Sequence, residues 1–232
     1  MREPWAIDET AFAGAEHLDP DFVAGFDEKQ GRPGAAEDVA LLEACGLDAH
    51  STVVDLGAGT GQFAIPAART FGTVVAVDVS APMLEVLSDR AAAERLTGLR
   101  CVHAGFLSYE HAGPPADAVH TRNALHQIPD FWKAVALSRI AGFLRSGGVL
   151  RIHDLVYDCG PSEVEEVFER WFAGAATDPS RGYTREDFVE HVRNEHSTFR
   201  WLFEPMLDAA GFEIADVEFS AGVYGTYTCT RR

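Results

Sequence analysis

The chain has 232 residues, 47% of them apolar and 10% aromatic, which suits one large core better than two independent domains. No stretch approaches the roughly eighteen uninterrupted apolar residues of a membrane span, so a membrane partner is excluded. A formal charge of −17 repels phosphate backbones over most of the surface, so nucleic acid is disfavoured as a partner.

The start, MREPWAIDET, carries acidic residues where a secretory signal needs a basic start and an apolar run; the expectation is no export and a cytoplasmic location. Asp8 to Ala13 reads as a short element. Asp19-Pro20-Asp21 opens a capped helix over FVAGFDEKQ, stopped by Gly31, and GRPG then breaks the chain. The apolar positions from Ala35 to Cys45 suit a packed helix ended by Gly46. Residues 1–50 thus form a helical arm ahead of the first strand.

Strand one is expected over Thr52 to Leu56, followed by a helix from Gln62 to Phe71. Strand two, Thr73 to Asp78, leads to a helix from Ala81 to Leu96, and strand three spans Leu99 to Ala104. Strand four, Ala116 to His120, precedes a helix from Asp130 to Leu144, N-capped by Asp130. Gly147-Gly148 turns into strand five, Val149 to Asp154. This alternation predicts successive βαβ units and a mostly parallel sheet covered on both faces. From Pro161 to Trp201 the pattern is helical with polar breaks, and no strand fits. A helix ending near Ala210-Gly211 is followed by two strands, Phe212 to Phe219 and Val223 to Thr230, joined by a short turn and therefore antiparallel. The division is an arm at 1–50, a core at 51–160 and 202–232, and a helical insertion at 161–201.

Cys45, Cys101, Cys159 and Cys229 lie far apart with no CxxC pair, so they are read as reduced thiols, and no metal site is expected. His191 and His196, five residues apart, fall on different faces of a helix and do not change that expectation.

The chemistry concentrates in VVDLGAGTGQFA. Asp55, Gly57, Gly59 and Gly61 form D-x-G-x-G-x-G at a strand end, where positions without side chains let the backbone turn sharply and approach a ligand closely. Asp78 closes the next strand, where a carboxylate can accept from the hydroxyls of a ribose. A dinucleotide turn has G-x-G-x-x-G; here the third glycine comes one residue early and an acid sits two before the first, which favours a ligand carrying an amine.

These residues resemble a known family. VVDLGAGTGQFA, VVAVDVS and APML are similar to the cofactor motifs of class I S-adenosylmethionine-dependent methyltransferases, ADAVHTRNALHQIPDFWK and LRSGGVLRIHDL to their fourth and fifth strand segments, and EPMLDAAGF with its paired strands to their final hairpin. The resemblance covers Thr52 to Asp154 closely and leaves the arm and the insertion uncovered. It implies a Rossmann-like, doubly wound α/β sheet of seven strands, mostly parallel with an antiparallel C-terminal strand, plus a helical lid. It also implies S-adenosylmethionine as cofactor, S-adenosylhomocysteine as product, and transfer to O, N or C of a small-molecule acceptor. A protein or RNA methyltransferase, and a non-catalytic cofactor-binding regulator or assembly protein, are the alternatives; a homodimer is left open.

Carried over by residue, the resemblance places Asp55, Gly57, Ala58, Gly59 and Gly61 at the methionine end, Asp78 on the ribose, and Val79 and Met83 on adenine. Asn123 and Ala124 line the methionine side. Where the family often has Gly-Asp after strand three, with the aspartate bonding the adenine amino group, this chain has Gly105-Phe106, and Tyr109 or Glu110 is left to substitute. Pro66 kinks the first core helix if that helix begins near Gln62. His126, past strand four, could take a proton from the acceptor as a neutral imidazole, or could simply pack in the LHQIP loop. Asp154 ends strand five on the same sheet edge, as acceptor ligand or loop cap. Arg122 pairs with an acidic acceptor or with a carboxylate of the chain, and Arg151 and His153, facing one side of a central strand, require partners. The insertion, with Trp171, Phe172, Tyr183, His191, Glu195 and His196, is the expected acceptor lid, and Phe26, Asp27 and Lys29 of the arm are placed to close over the cofactor.

Overall fold

The computed structural model describes residues 5–30, 35–179 and 181–232. The GRPG break with its Gly31 stop, Ser180 of the polar loop and residues 1–4 lie outside the described residues. Two short 3-10 turns, Glu9–Phe12 and Ala15–Leu18, precede α1 (Pro20–Gln30) and α2 (Ala35–Ala44). Asp19 starts α1 by accepting from the Asp21 N–H, which satisfies one of the donors that a helix start leaves unpaired.

The core follows as β1 (Thr52–Leu56), α3 (Ala64–Thr70), β2 (Thr73–Asp78), α4 (Ala81–Ala93), β3 (Leu99–His103), β4 (Ala116–Arg122), α5 (Asp130–Phe143) and β5 (Leu144–Tyr157). Then come α6 (Val164–Ala173), α7 (Arg185–Asn194), β6 (Thr198–Phe199), α8 (Arg200–Ala209), β7 (Phe212–Ser220) and β8 (Tyr224–Arg231). The sheet order is β3-β2-β1-β4-β5-β8-β7, parallel throughout except for β8, which is antiparallel to both neighbours, and β6 pairs with β5 off this path. Strand order reverses between β1 and β4, so a crevice opens beyond the C-terminal ends of these strands, where open α/β sheets bind ligands.

Successive residues of the central strands feed two different cores. Val54, Val75 and Val77 point toward α5 and α8, packing with Leu137, Ile140, Phe203 and Leu207. Val53, Val74 and Ala76 point the other way, toward Leu42 of α2, Ala64 and Ala67 of α3 and Leu87 of α4. Both faces are dry, which is why these strands read as continuous apolar runs. A third cluster joins Val167 and Trp171 of α6 to Leu155, Tyr157 and Val223.

Four local expectations change. Gly147 and Gly148 lie inside β5 rather than before it: Ala116 pairs with Leu144 and Ala118 with Val149, so the extra residues bulge, with Gly147 at φ 70°. The 161–201 segment does contain a strand, the two-residue β6. Asp130 is the first residue of α5 and not its cap; Pro129 takes the cap position, and Asp130 instead accepts from Lys133 Nζ and Thr198 Oγ1. Because α3 begins at Ala64, Pro66 falls in its first turn, whose N–H groups lack helical acceptors, and no kink is required. The four cysteines are free thiols. Among the described residues no helix is long and apolar enough to cross a membrane.

Candidate functional site

A cavity opens at the C-terminal ends of β1, β2 and β4. Asp55, Gly57, Ala58, Gly59, Asp78, Val79, Met83, Gly105, Phe106 and Asn123 all line it. Gly61 does not; its φ of 90° turns the chain into α3, and a Cβ there would lie 2.8 Å from Leu87 Cγ. Gly57 is more constrained still, since at φ 74° a Cβ would stand 2.3 Å from that of Ala124. Asp78 accepts from the Gly59 N–H at 2.8 Å and the Ser80 N–H at 2.8 Å, which fixes its carboxylate at the cavity wall. Burial raises its pKa against these two hydrogen bonds.

Behind the turn lies a buried charge cluster. Asp38 of α2 is 1% exposed and accepts from Arg151 Nε at 2.8 Å, Arg122 Nη2 at 2.8 Å and the ring of His120 at 3.3 Å. His120 Nδ1 meets Asp55 Oδ1 at 2.8 Å, and its ring stacks on Phe63 at 3.7 Å. Burial alone would lower the His120 pKa; the Asp55 and Asp38 carboxylates on either side outweigh it and raise it. Arg151 also donates to Thr228 Oγ1, and His153 pairs with Thr226 Oγ1 and stacks on Tyr224. Arg122, Arg151 and His153 thus have the partners that burial demands, and burial together with Arg122 brings the His153 pKa down to about 4.

Three buried polar atoms in this wall have no hydrogen-bond partner among the described residues: Asp55 Oδ2, Asn123 Oδ1 and Arg122 Nε. All three side chains line the cavity. Orphaned groups of this kind are costly unless a ligand satisfies them. Two acceptors and one guanidinium donor match the ammonium and carboxylate of an amino-acid moiety. Asn123 is also held at φ 49°, a left-handed conformation that few residues other than glycine adopt, with its N–H donating to His153 O. These residues fit S-adenosylmethionine: acceptors for its amine, a carboxylate at the ribose position, and Val79 and Met83 as apolar cover.

The arm contributes more than its sequence suggested. Glu9, Ala13, His17, Phe26 and Gln30 line the cavity. Glu9 is 4% exposed and accepts from the Leu107 N–H at 2.9 Å and Ser108 Oγ at 2.9 Å. Its carboxylate lies against Gly105, where an added Cβ would meet Glu9 Oε1 at 2.4 Å. Tyr109 is instead buried in the core with its hydroxyl on His111, and Glu110 is exposed. Asp27 accepts from Thr60 Oγ1 at 2.5 Å and pairs with Arg90 at 2.6 Å, clamping α1 to the glycine turn. Lys29 pairs with Asp187 of α7 at 3.3 Å.

His126 and Asp154 stand together but outside this cavity wall, bordering a much smaller void. His126 Nδ1 is 2.5 Å from Asp154 Oδ1, and Nε2 is 2.8 Å from Glu195 Oε2. Burial would lower the His126 pKa, but the two carboxylates outweigh it and push it up to about 9, so the ring is already protonated at neutral pH. The same Glu195 oxygen meets His191 Nδ1 at 2.6 Å. None of the described residues in 161–201 lines the main cavity. The segment reaches it through Gln127, a lining residue whose side-chain nitrogen is 3.1 Å from Glu195 Oε2. Sequence reasoning missed Glu9, Asp38, His120 and Gln127. The only signal was the alternation of His120 with Arg122 and of Arg151 with His153 on paired strands, which requires a countercharge without saying where it comes from.

A methyltransferase-domain family model matches residues 53–148, from β1 into the bulge of β5. An uncharacterized methyltransferase of Mycobacterium tuberculosis is 36% identical over 113 residues, 49% of this chain. The chain spans 55% of that relative's length. An uncharacterized methyltransferase of Geobacillus thermodenitrificans is 28% identical over 203 residues, 87% of each chain. Among solved structures, magnesium protoporphyrin IX methyltransferase from Synechocystis PCC 6803, with bound SAM, superposes at a TM-score of 0.68 and 15% identity, covering 99% of this chain and 100% of its own. Residues 53–148 are thus similar to a methyltransferase domain, and the whole chain shares the fold of a solved S-adenosylmethionine-binding methyltransferase.

Proposed function

We propose that the protein is an S-adenosylmethionine-dependent methyltransferase acting on an oxygen, nitrogen or carbon atom of a small molecule. The observation that supports this best is the convergence of Asp55 Oδ2, Asn123 Oδ1 and Arg122 Nε, each buried and unpaired, on one cavity whose far wall carries Asp78. When bound, the cofactor supplies a methyl group on a sulfonium, an electrophile that an aligned nucleophile displaces in line. Asp55 and Asn123 would hold its amine, Arg122 its carboxylate and Asp78 its ribose hydroxyls. Glu9, beside Gly105, takes the place of the missing aspartate and would accept from the adenine amino group.

The chain's own contribution is positioning and exclusion of water, which can account for much of such a rate enhancement. The arm covers the cavity, and Asp27, Lys29 and Gln30 tie it to the turn and to the 161–201 segment. Those ties support a closing role for arm and segment together. His126, protonated and held from both sides, is a positioning group in this reading; proton loss from the acceptor goes to solvent or to the acceptor's own groups. A small acceptor suits a cavity walled by the arm and a surface of strong negative charge, and the Synechocystis relative is itself named for a porphyrin acceptor.

Calorimetry with S-adenosylmethionine and S-adenosylhomocysteine tests the cofactor, with saturable one-to-one binding expected. Release of S-adenosylhomocysteine from a panel of small hydroxyl, amine and carbon acids tests transfer. Absence of saturable cofactor binding would overturn the proposal.

A further inference from the structure

We propose that His126, His191 and Glu195 form a binding site for a divalent first-row transition ion, with Zn2+ the best match to two imidazoles and one carboxylate. The donor atoms lie within 4.8 Å of one another, and both imidazole nitrogens converge on Glu195 Oε2, at 2.8 Å from His126 Nε2 and 2.6 Å from His191 Nδ1.

Each imidazole is anchored through its other nitrogen. His126 Nδ1 meets Asp154 Oδ1 at 2.5 Å, and His191 Nε2 meets Ser197 Oγ at 2.7 Å. Such outer partners fix the tautomer and aim the remaining lone pair, a recurrent feature of metal-ligating histidines. Among the described residues neither Asp154 nor Glu195 makes an ion pair with lysine or arginine, so both carboxylates face the imidazoles and favour a cation there.

A tetrahedral ion needs donors about 3.3 Å apart. Glu195 must therefore withdraw by about half an ångström, a small movement for a partly exposed side chain just past the end of α7, while the imidazole nitrogens, within 4.8 Å of each other, close on the ion. An ion here would bind the 161–201 segment to the β4 and β5 ends of the core. It would also lie one side chain from the cofactor cavity, because the Gln127 side-chain nitrogen touches both His126 Nε2 and Glu195 Oε2 at 3.1 Å.

The test uses tag-free, EDTA-treated full-length protein and needs no cofactor, so its outcome is independent of the transferase reading. Calorimetry should show one equivalent of Zn2+ bound, and Co2+ should give the visible spectrum of a nitrogen and oxygen site without a thiolate charge-transfer band. Glu195→Gln and His191→Ala should each weaken Zn2+ binding at least about tenfold, and Asp154→Asn by about 10–100-fold. Zn2+ should raise the Tm of the wild type and leave that of Glu195→Gln unchanged. Circular dichroism confirms folding of each variant, and the near-isosteric glutamine keeps the test open if the alanine variant unfolds. No saturable Zn2+ binding, a thiolate spectrum with Co2+, or unchanged affinity in Glu195→Gln would overturn the proposal.

Discussion

Asp38→Asn should destabilise the protein far more than a change on the arm would suggest. Asp38 has both oxygens engaged by Arg151, Arg122 and His120, at 1% exposure. The amide keeps the shape but removes the carboxylate shared by Arg151, Arg122 and His120 and turns an N–H2 toward one of them. Removing one partner from a buried ionic network costs about 3–5 kcal/mol, because the remaining charges stay buried without compensation. For a chain of this size that is a Tm decrease of roughly 6–20 °C.

The same residue sets a pH dependence. Burial would raise the Asp38 pKa, but His120, Arg122 and Arg151 outweigh it and hold the carboxyl well below its ordinary 3.8. A folded value below the unfolded one gives stabilisation that is complete above about pH 4 and lost as the pH falls through the folded value. Asp38→Asn lacks that titration, so the stability gap to wild type should narrow below pH 4. His120, with its pKa raised, acts with the opposite sign: its contribution is complete below its ordinary 6.5 and lost as the pH rises through the folded value. Urea titrations from pH 3 to 9 measure both. A variant within about 1 kcal/mol of wild type at pH 7, or a gap that widens on acidification, would refute the network's role.

Asp78→Asn should weaken S-adenosylmethionine binding by about 10–100-fold, the worth of hydrogen bonds to a charged acceptor, and calorimetry showing intact affinity would remove it from the ribose site. Gly57→Ala combines φ 74° with a 2.3 Å approach to Ala124, so a loss of about 1–3 kcal/mol and impaired cofactor binding are expected. Gly25→Ala, in open space on α1, is the contrasting control and should be neutral or stabilising by up to about 1 kcal/mol in denaturant melts. Trp171 is 6% exposed and stacks on Phe188 at 4.4 Å; Trp171→Ala should cost about 3–5 kcal/mol of local stability, read as lost hydrogen-exchange protection in α6 and α7.

Much of the core was legible in the chain because its signals are local. The bounds of β1 and β2 follow from apolar runs ending in Asp55-Leu56 and Asp78, and the turn between them from Gly57 and Gly61, whose positions admit no Cβ. Departures came where a tertiary contact overrode a local signal. Gly147-Gly148 reads as a turn but bulges within β5, because Leu144 pairs with Ala116 on the neighbouring strand. Asp130 reads as a cap but is drawn to Lys133 and Thr198. Thr198-Phe199 is too short to show a period and is a strand only because Val156-Tyr157 lies beside it.

The sequence by itself determined the core sheet, the glycine turn after β1 and the demand that Arg122, Arg151 and His153 be paired, since each depends on residue type and near-neighbour spacing. Tertiary structure alone decided the partners: Asp38 for Arg122 and Arg151, Glu9 beside Gly105, and Glu195 with His191 around His126. The pairings of Asp38 with Arg122 and Arg151 cross 84 and 113 positions of chain. Burial selects them by requiring every polar group removed from water to find its complement, and nothing in local periodicity records which distant residue supplies it.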